Sequence, residues 1–278
     1  MQRLTGSDGE HAVLHHLGGD GPPLLLTHGN GLNAGMWATV VPHLAPHFSC
    51  HGLDFRGHGA SRPTRQGFSV DRGNLVSEVL MAVEMLGGPV RAVGHSLGGA
   101  TIVRTEIEHP GTFSAIWLFE PVIVPPGRPT PDHEHPLVTA ARKRRTHFDS
   151  VEDAVTRFCS KPPFNACERA AVEAYVELGT TPASSGGVDL TCWGDTEARI
   201  FTSGTPTDFS TLAAITCPAV VARGEAVSGG NELPPQMAAP VADALGNGRL
   251  VPMEGLTHFG PMEDGRAVAQ AILEHFLA

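Results

Sequence analysis

One stretch of the chain decides its fold: VRAVGHSLGG, residues 90–99. Its first residues are apolar and partly β-branched, as in a buried strand, and the residues from Leu97 onward have helical spacing. Between the two lies GHSLG, residues 94–98, which matches the pattern G-x-S-x-G. A serine in this pattern stands on a sharp strand-to-helix turn, where flanking glycines remove the Cβ atoms that would collide. The stretch therefore predicts an exposed, nucleophilic Ser96 at the end of a sheet strand.

The same alternation of strand and helix runs along the chain on both sides of this turn. Apolar runs predict strands at 11–17, 23–28, 48–53, 90–95, 115–120, 219–224 and 249–253. Helical spacing is found at 34–44, 70–86, 97–109, 233–245 and 266–276. Several strands are apolar on both faces, which is typical of a parallel sheet covered by helices on both sides. We predict an α/β fold with a mostly parallel, doubly wound sheet, and we expect the first two strands to form an antiparallel edge pair.

The pattern changes between the fifth and sixth strands, over residues 121–212. A proline-dense stretch, 121–136, opens this segment, and helical spacing follows at 136–148, 151–159 and 168–178 without a convincing strand run. A long connection of this kind is usually functional, as in lids over active sites. The sequence predicts a helical cap at 121–212, inserted between the two parts of one core at 1–120 and 213–278.

Composition limits the classes of protein and of partner. With 41% hydrophobic and 17% charged residues, the 278-residue chain can bury a large core. Its net charge of −10 argues against binding to nucleic acid or to an anionic membrane surface. Five dispersed cysteines without a C-x-x-C pair suggest neither a disulfide framework nor a zinc site. We expect a monomer or a homodimer, and the sequence implies no cofactor and no metal.

Targeting signals are also not evident. No apolar run approaches the roughly 18 residues of a membrane span. The first ten residues are polar where a signal peptide needs an apolar segment. We therefore expect a cytoplasmic protein without a membrane segment.

Four motifs occur in a fixed order: HGNG at 28–31, DFRGHGAS at 54–61, GHSLGG at 94–99 and GLTHF at 255–259. Through these motifs the chain resembles the α/β-hydrolase superfamily, and the resemblance covers residues 23–278. In the second motif we interpret Asp54 and Arg56 as residues that fix the loop, not as catalytic groups.

The resemblance implies specific roles for four residues. Ser96 attacks the substrate, and the backbone N–H groups of Asn30 and Leu97 form the oxyanion hole. A serine hydroxyl needs a base that titrates near neutrality, which favours histidine. The chain has 15 histidines, but His258 follows the last predicted strand and precedes the final helix, where the family places its base.

The acid of the triad departs from the commonest family pattern. The usual position lies after strand 219–224, where this chain reads GEAVS and places Val227 in the aspartate's position. Two carboxylates remain, Glu120 at the end of strand 115–120 and Glu225. We favour Glu120, because some relatives, including haloalkane dehalogenases, carry the acid after this earlier strand. A carboxylate that ends a buried strand also needs a partner to offset its desolvation.

These residues predict a serine hydrolase that cleaves a small-molecule carboxylic ester or lactone. Met36, Trp37 and Phe259 are expected to line an apolar pocket, because they lie close to the motifs in sequence. The basic run at 142–145 either attracts an anionic substrate or forms a solvated helix face.

Other functions stay open on the same fold. A carbon–carbon bond hydrolase or a thioesterase uses the same triad, and a receptor-like protein keeps the pocket without turnover. Epoxide hydrolase and dehalogenase activities are disfavoured, because those relatives carry an aspartate where this chain has Ser96.

Overall fold

The structure is a computed structural model that describes residues 1–63, 67–226 and 232–278. Its strands are β1 (Gln2–Thr5), β2 (His11–Gly18), β3 (Pro23–Thr27), β4 (Ser49–Asp54), β5 (Val90–His95), β6 (Phe113–Phe119), β7 (His147–Phe148), β8 (Thr180–Pro182), β9 (Val188–Leu190), β10 (Ala219–Arg223) and β11 (Gly248–Pro252). Its α-helices are α1 (Val41–Leu44), α2 (Arg72–Met85), α3 (Leu97–Glu108), α4 (Pro136–Lys143), α5 (Val151–Cys159), α6 (Arg169–Leu178), α7 (Gly194–Thr202), α8 (Leu233–Ala244), α9 (Gly260–Glu263) and α10 (Gly265–Phe276).

Eight strands form the central sheet in the order β1-β2-β4-β3-β5-β6-β10-β11. Strands β4, β3, β5, β6, β10 and β11 are parallel to one another, whereas β2 pairs antiparallel with β1 and β4. This arrangement confirms the predicted α/β fold with a mostly parallel sheet.

The expected antiparallel pair of β2 with β3 is wrong. Strand β3 lies inside the sheet, between β4 and β5, and pairs with both in parallel. Its residues Leu24, Leu25 and Leu26 are fully buried, which requires a neighbour on each edge and helices on each face. The antiparallel partner of β2 at the sheet's outer edge is β1, which is too short to show a pattern in the sequence.

Helices cover both faces of the sheet, and each face has its own apolar cluster. Because side chains alternate along a strand, Leu25 packs on the face of α2, α3 and α8, whereas Leu24 and Leu26 pack on the face of α1, α6 and α10. In the part of the chain that the structure describes, no helix is both long and apolar enough to cross a membrane.

Residues 121–212 add no strand to the central sheet. They contain α4, α5 and α6, where the helical spacing predicts helices, and also α7, which was not predicted, and a three-stranded antiparallel sheet in the order β7-β9-β8. The absence of strands from this segment was therefore a wrong prediction. Strands of two or three residues are too short for a period-2 pattern. The role of the segment as a cap stays a prediction.

The loop after β4 is fixed by buried charges, as we expected for Asp54 and Arg56. The Arg56 side chain is buried and binds Glu78 through Nε at 2.5 Å and Asp8 through Nη1 at 2.6 Å. The Asp54 carboxylate accepts the N–H groups of Ala34 at 2.7 Å and Ala60 at 2.8 Å. Both residues hold loops at the carboxyl edge of the sheet.

Replacing Glu78 by alanine is expected to lower the free energy of unfolding by about 3 kcal/mol, because it leaves part of the buried Arg56 charge without a partner. The matched control is Glu108→Ala, which removes an ion pair with Arg104 that is more than one-third exposed on both sides. The control is expected to cost less than about 1 kcal/mol. Urea unfolding measures both variants, and equal losses would contradict this account.

Candidate active site

Ser96 occupies the turn between β5 and α3 in a strained backbone conformation. Its φ is 53° and its ψ is −112°, in a region that L-residues rarely adopt. Its N–H donates to the carbonyl of Phe119 at 3.0 Å, and its carbonyl accepts the N–H of Ala100 at 3.0 Å. Such strain costs on the order of 1–3 kcal/mol and persists only where the surroundings enforce it. The structure therefore holds Ser96 in the geometry that the G-x-S-x-G pattern predicts.

The glycines around Ser96 are required by close packing. A Cβ at Gly94 would lie 2.6 Å from the Cα of Gly99, and a Cβ at Gly98 would lie 2.5 Å from the Thr27 hydroxyl oxygen. Both distances are shorter than any tolerable carbon contact, and the first partner is backbone. The tight turn of this motif thus depends on glycine at both positions.

A buried carboxylate and an imidazole meet close to this turn. Glu120 directly follows β6, is fully buried, and lies with Oε2 at 2.6 Å from Nδ1 of His258. Its Oε1 accepts the N–H of Gly224 at 2.9 Å. His258 lies in the loop between β11 and α9 and is 9% exposed, as is Ser96. The carboxylate is therefore fixed at both oxygens and orients the imidazole ring.

The alternative carboxylate lies elsewhere. Glu225 is exposed, and its Oε1 accepts the N–H of Gly255 at 2.9 Å. Val227, at the position where the family more often has its acid, lies outside the described residues. Of the two carboxylates that the sequence left open, the structure brings Glu120, not Glu225, into contact with His258.

His95 joins the serine turn to the loop of His258. Its Nε2 lies 2.8 Å from the carbonyl oxygen of His258, and the two rings are 4.7 Å apart between centroids. A carbonyl only accepts, so Nε2 of His95 carries the proton and donates it. The sequence suggested only a packing role for His95, because a hydrogen bond over 163 residues leaves no local pattern.

Burial controls the protonation of Glu120 and His258. Desolvation raises the pKa of the Glu120 carboxyl to about 7 and lowers the pKa of the His258 imidazole to about 4. Both shifts disfavour the charged form, as expected where water is excluded. With Glu120 ionised, Nδ1 of His258 carries the proton and donates it, so Nε2 has a free lone pair at neutral pH. The two groups titrate as one coupled unit.

Backbone donors are available beside Ser96. Leu97 is the first residue of α3, so its N–H has no partner inside the helix. Among the residues that the structure describes, the N–H groups of Leu97 and Asn30 donate to no protein acceptor. A Cβ at Gly29 would lie 3.3 Å from the Cβ of Ser96, which places the 28–31 loop against the serine. Both predicted oxyanion-hole residues thus lie on backbone segments next to Ser96.

The predicted pocket residues separate into two groups. Phe259 is partly exposed, and its ring lies 6.0 Å from the His258 ring and 5.4 Å from the Phe164 ring. Met36 and Trp37 are fully buried in the core, so neither presents a surface to a substrate. Their prediction as pocket residues is wrong. It rested on closeness in sequence to a motif, which does not determine which side of a helical turn packs against the core.

Residues of the 121–212 segment also reach the site, and sequence reasoning missed them. Arg144, within the basic run, is 17% exposed and is not free for a ligand, because its Nη1 lies 2.5 Å from Glu197 Oε2. Its Nη2 donates to the hydroxyl of Tyr175 at 3.0 Å. In the sequence, Arg144 is indistinguishable from its basic neighbours, because only tertiary contact separates them.

The sequence profile of the α/β hydrolase family matches residues 24–271. This match covers most of the chain, and the sheet order and the serine turn agree with it. The protein belongs to the α/β hydrolase family.

Named relatives are similar over a smaller region. A pimeloyl-acyl-carrier-protein methyl ester esterase from Nitrosomonas europaea is 35% identical over 92 residues, 33% of this chain and 34% of the relative. Protein phosphatase methylesterase 1 from Bos taurus is 35% identical over 111 residues, 38% of this chain and 28% of the relative. The chain thus matches about a third of the length of these curated relatives.

A solved structure extends the likeness of fold over the whole chain. E-2-(acetamidomethylene)succinate hydrolase superposes with a TM-score of 0.78 at 18% sequence identity, over 100% of this chain and 98% of that one. At this identity the superposition shows a common fold.

The free energy of unfolding of Glu120→Gln, relative to wild type, is expected to rise by about 1–3 kcal/mol from pH 5 to pH 8. The pKa of this carboxyl is higher in the folded chain, at about 7, than in the unfolded chain. Its contribution to stability is therefore complete below the unfolded pKa and is lost as the pH rises through about 7. Glutamine has no such proton to lose.

Urea unfolding of the variant and of wild type at pH 5 and pH 8 measures this change in the stability difference. Glu225→Gln is the matched control, because Glu225 is exposed and an exposed change is usually worth within about 0.5 kcal/mol. A stability difference that stays constant or moves in favour of wild type from pH 5 to pH 8 would refute the direction of the shift.

Proposed function

We propose that the protein hydrolyses a small-molecule carboxylic ester or lactone through an acyl-enzyme on Ser96. The observation that carries this proposal is the 2.6 Å contact of the buried Glu120 carboxylate with His258, next to a serine on a strained turn. Nucleophile, base and orienting acid are the components of the serine hydrolase triad. The family match supports the proposal, and the names of the methyl ester esterase and the methylesterase favour an ester as substrate.

Acylation begins with proton transfer. Nε2 of His258 accepts the hydroxyl proton of Ser96 while Oγ attacks the carbonyl carbon and the carbonyl π electrons move to oxygen. The N–H groups of Asn30 and Leu97 donate to this oxyanion, and the N-terminus of α3 adds its positive dipole. Collapse of the intermediate breaks the bond to the leaving alcohol, which takes the proton from His258.

Deacylation repeats these steps with water. His258 removes a proton from water, the hydroxide attacks the acyl-enzyme, and Ser96 leaves with the proton that His258 returns. In its ionised form, which predominates above about pH 7, Glu120 accepts the Nδ1–H of His258 and stabilises the transient imidazolium. For a lactone, the alcohol and the acid remain one molecule.

The test is turnover of p-nitrophenyl acetate, p-nitrophenyl butyrate and simple methyl esters by wild type and three variants. Ser96→Ala is expected to lower kcat at least about 10³-fold, and Glu120→Gln about 10²- to 10⁴-fold. Glu225→Gln is the matched control and is expected to stay within about twofold of wild type, because it lies away from His258.

Three outcomes would contradict the proposal or part of it. Loss of turnover in Glu225→Gln but not in Glu120→Gln would move the acid to Glu225. A single acylation of wild type without turnover would identify a receptor-like protein. Turnover of a thioester or of a carbon–carbon substrate, with every ester inert, would replace the ester by that substrate class.

A further inference from the structure

Tyr175, on α6, holds the loop that carries the proposed oxyanion donor. We call residues 28–33 the oxyanion loop. The Tyr175 hydroxyl lies 3.1 Å from the carbonyl oxygen of Gly31, and the Tyr175 carbonyl accepts the side-chain N–H of Asn33 at 2.9 Å. One residue from outside the loop therefore binds it at two points, both within three residues of Asn30.

The direction of the tyrosine proton follows from its other partner. The Arg144 guanidinium donates to the Tyr175 hydroxyl oxygen at 3.0 Å, and guanidinium has only donors. The tyrosine proton must then point elsewhere, to the carbonyl of Gly31. Burial raises the pKa of Tyr175, so the hydroxyl keeps this proton over the working pH range.

Glu197, on α7, contacts both Arg144 and the oxyanion loop. Its carboxylate balances the charge of Arg144 at 2.5 Å, and its backbone carbonyl accepts the side-chain N–H of Asn30 at 3.0 Å. A Cβ at Gly31 would lie 2.9 Å from the Glu197 carboxyl carbon, so the side chain packs directly on the loop. Asn30, Gly31 and Asn33 are each held by α6 or α7.

The opposite side of the loop is held by the core. The N–H of Gly31 donates to Nε2 of His58 at 3.1 Å. Burial lowers the pKa of His58 to about 3, so this imidazole is neutral and its Nε2 accepts. With His58 on its N–H and Tyr175 on its carbonyl, Gly31 is fixed on both sides, and the neighbouring peptide N–H of Asn30 is oriented with it.

We propose that Tyr175 is a positioning residue for the oxyanion hole, with Arg144 setting the direction of its proton and Glu197 balancing the charge. None of the three needs to touch the reacting atoms. The inference rests on the proposed function, since it assigns these contacts to the Asn30 N–H that receives the oxyanion. Oxyanion donors act only when placed within a few tenths of an ångström before the reaction, and removing one costs about 10²- to 10³-fold in kcat.

The experiment compares Tyr175→Phe with a matched loss of another buried hydroxyl. Thr105→Val removes a hydroxyl that donates to the Thr101 carbonyl at 2.8 Å on α3, remote from the oxyanion loop. Thr105→Val loses one neutral hydrogen bond, worth about 1 kcal/mol of stability, whereas Tyr175→Phe loses the bond to Gly31 and also the bond from the Arg144 guanidinium. Urea unfolding first establishes that both variants are folded and measures the stability that each one loses.

Two readouts report the oxyanion hole directly. The first is the rate at which a fluorophosphonate phosphonylates Ser96, followed by intact mass. In that step Ser96 Oγ bonds to phosphorus, fluoride leaves, and His258 takes the serine proton. The second is the inhibition constant of a trifluoromethyl ketone, which adds Ser96 to form a tetrahedral oxyanion. Ester turnover gives kcat and KM alongside.

Tyr175→Phe is expected to lower the phosphonylation rate and kcat, and to raise the inhibition constant of the ketone, by a common factor of about 10 to 100. KM is expected to change little, because the contact matters only when charge develops on oxygen. Thr105→Val is expected to leave all these quantities unchanged. If Tyr175→Phe does not fold, Arg144→Lys replaces it, since lysine keeps the charge opposite Glu197 but loses the planar fork that reaches Tyr175.

Unchanged phosphonylation and ketone affinity in Tyr175→Phe would overturn the inference, and so would equal losses in Thr105→Val. Failure of the proposed function has a different signature. It would appear as wild-type protein that the fluorophosphonate does not label at Ser96, or as full ester turnover by Ser96→Ala, whatever the Tyr175 variant does.

Discussion

The hydrogen bond between Glu120 and His258 is the interaction on which the site depends. It joins Glu120, at the end of β6, to a loop 138 residues later. The Glu120 side chain is fully buried. A lone buried carboxylate would be costly. Here one oxygen faces the imidazole and the other accepts the Gly224 N–H, so burial is tolerated and becomes the means of fixing the histidine. The same burial keeps His258 neutral and therefore able to accept a proton.

The sheet supplies the geometry for this contact. Within the described ranges, Ser96 and Glu120 are the non-glycine residues with positive φ, and they follow the adjacent parallel strands β5 and β6. Strain at both positions is concentrated at the carboxyl edge of the sheet, where ligands bind in open α/β folds. His95 fastens the His258 loop to the same edge through a backbone carbonyl. The sheet therefore fixes the positions of Ser96, Glu120 and the His258 loop at this edge.

The contributions of sequence and of tertiary structure separate clearly. The strands of the central sheet other than β1, and the serine turn, were predictable, because apolar periodicity and the G-x-S-x-G pattern are local. Glu120 was predictable because an acidic residue at the end of a buried strand is costly without a partner. Met36 and Trp37 were not, since packing decides which side of a short helical turn faces the core. Tyr175 and Arg144 were not either, because Tyr175 contacts Gly31 across 144 positions and Arg144 reaches the oxyanion loop only through Tyr175 and Glu197.

The central claim is that Nδ1 of His258 carries a proton and donates it to the Glu120 carboxylate. Proton NMR of that Nδ1 proton tests this claim most directly. The far-downfield region of the wild-type spectrum is predicted to contain a resonance that is protected from exchange and that disappears in His258→Gln. The same resonance is predicted to persist in Glu225→Gln and to be lost or shifted strongly upfield in Glu120→Gln. Its persistence unchanged in Glu120→Gln, with loss in Glu225→Gln, would contradict the account.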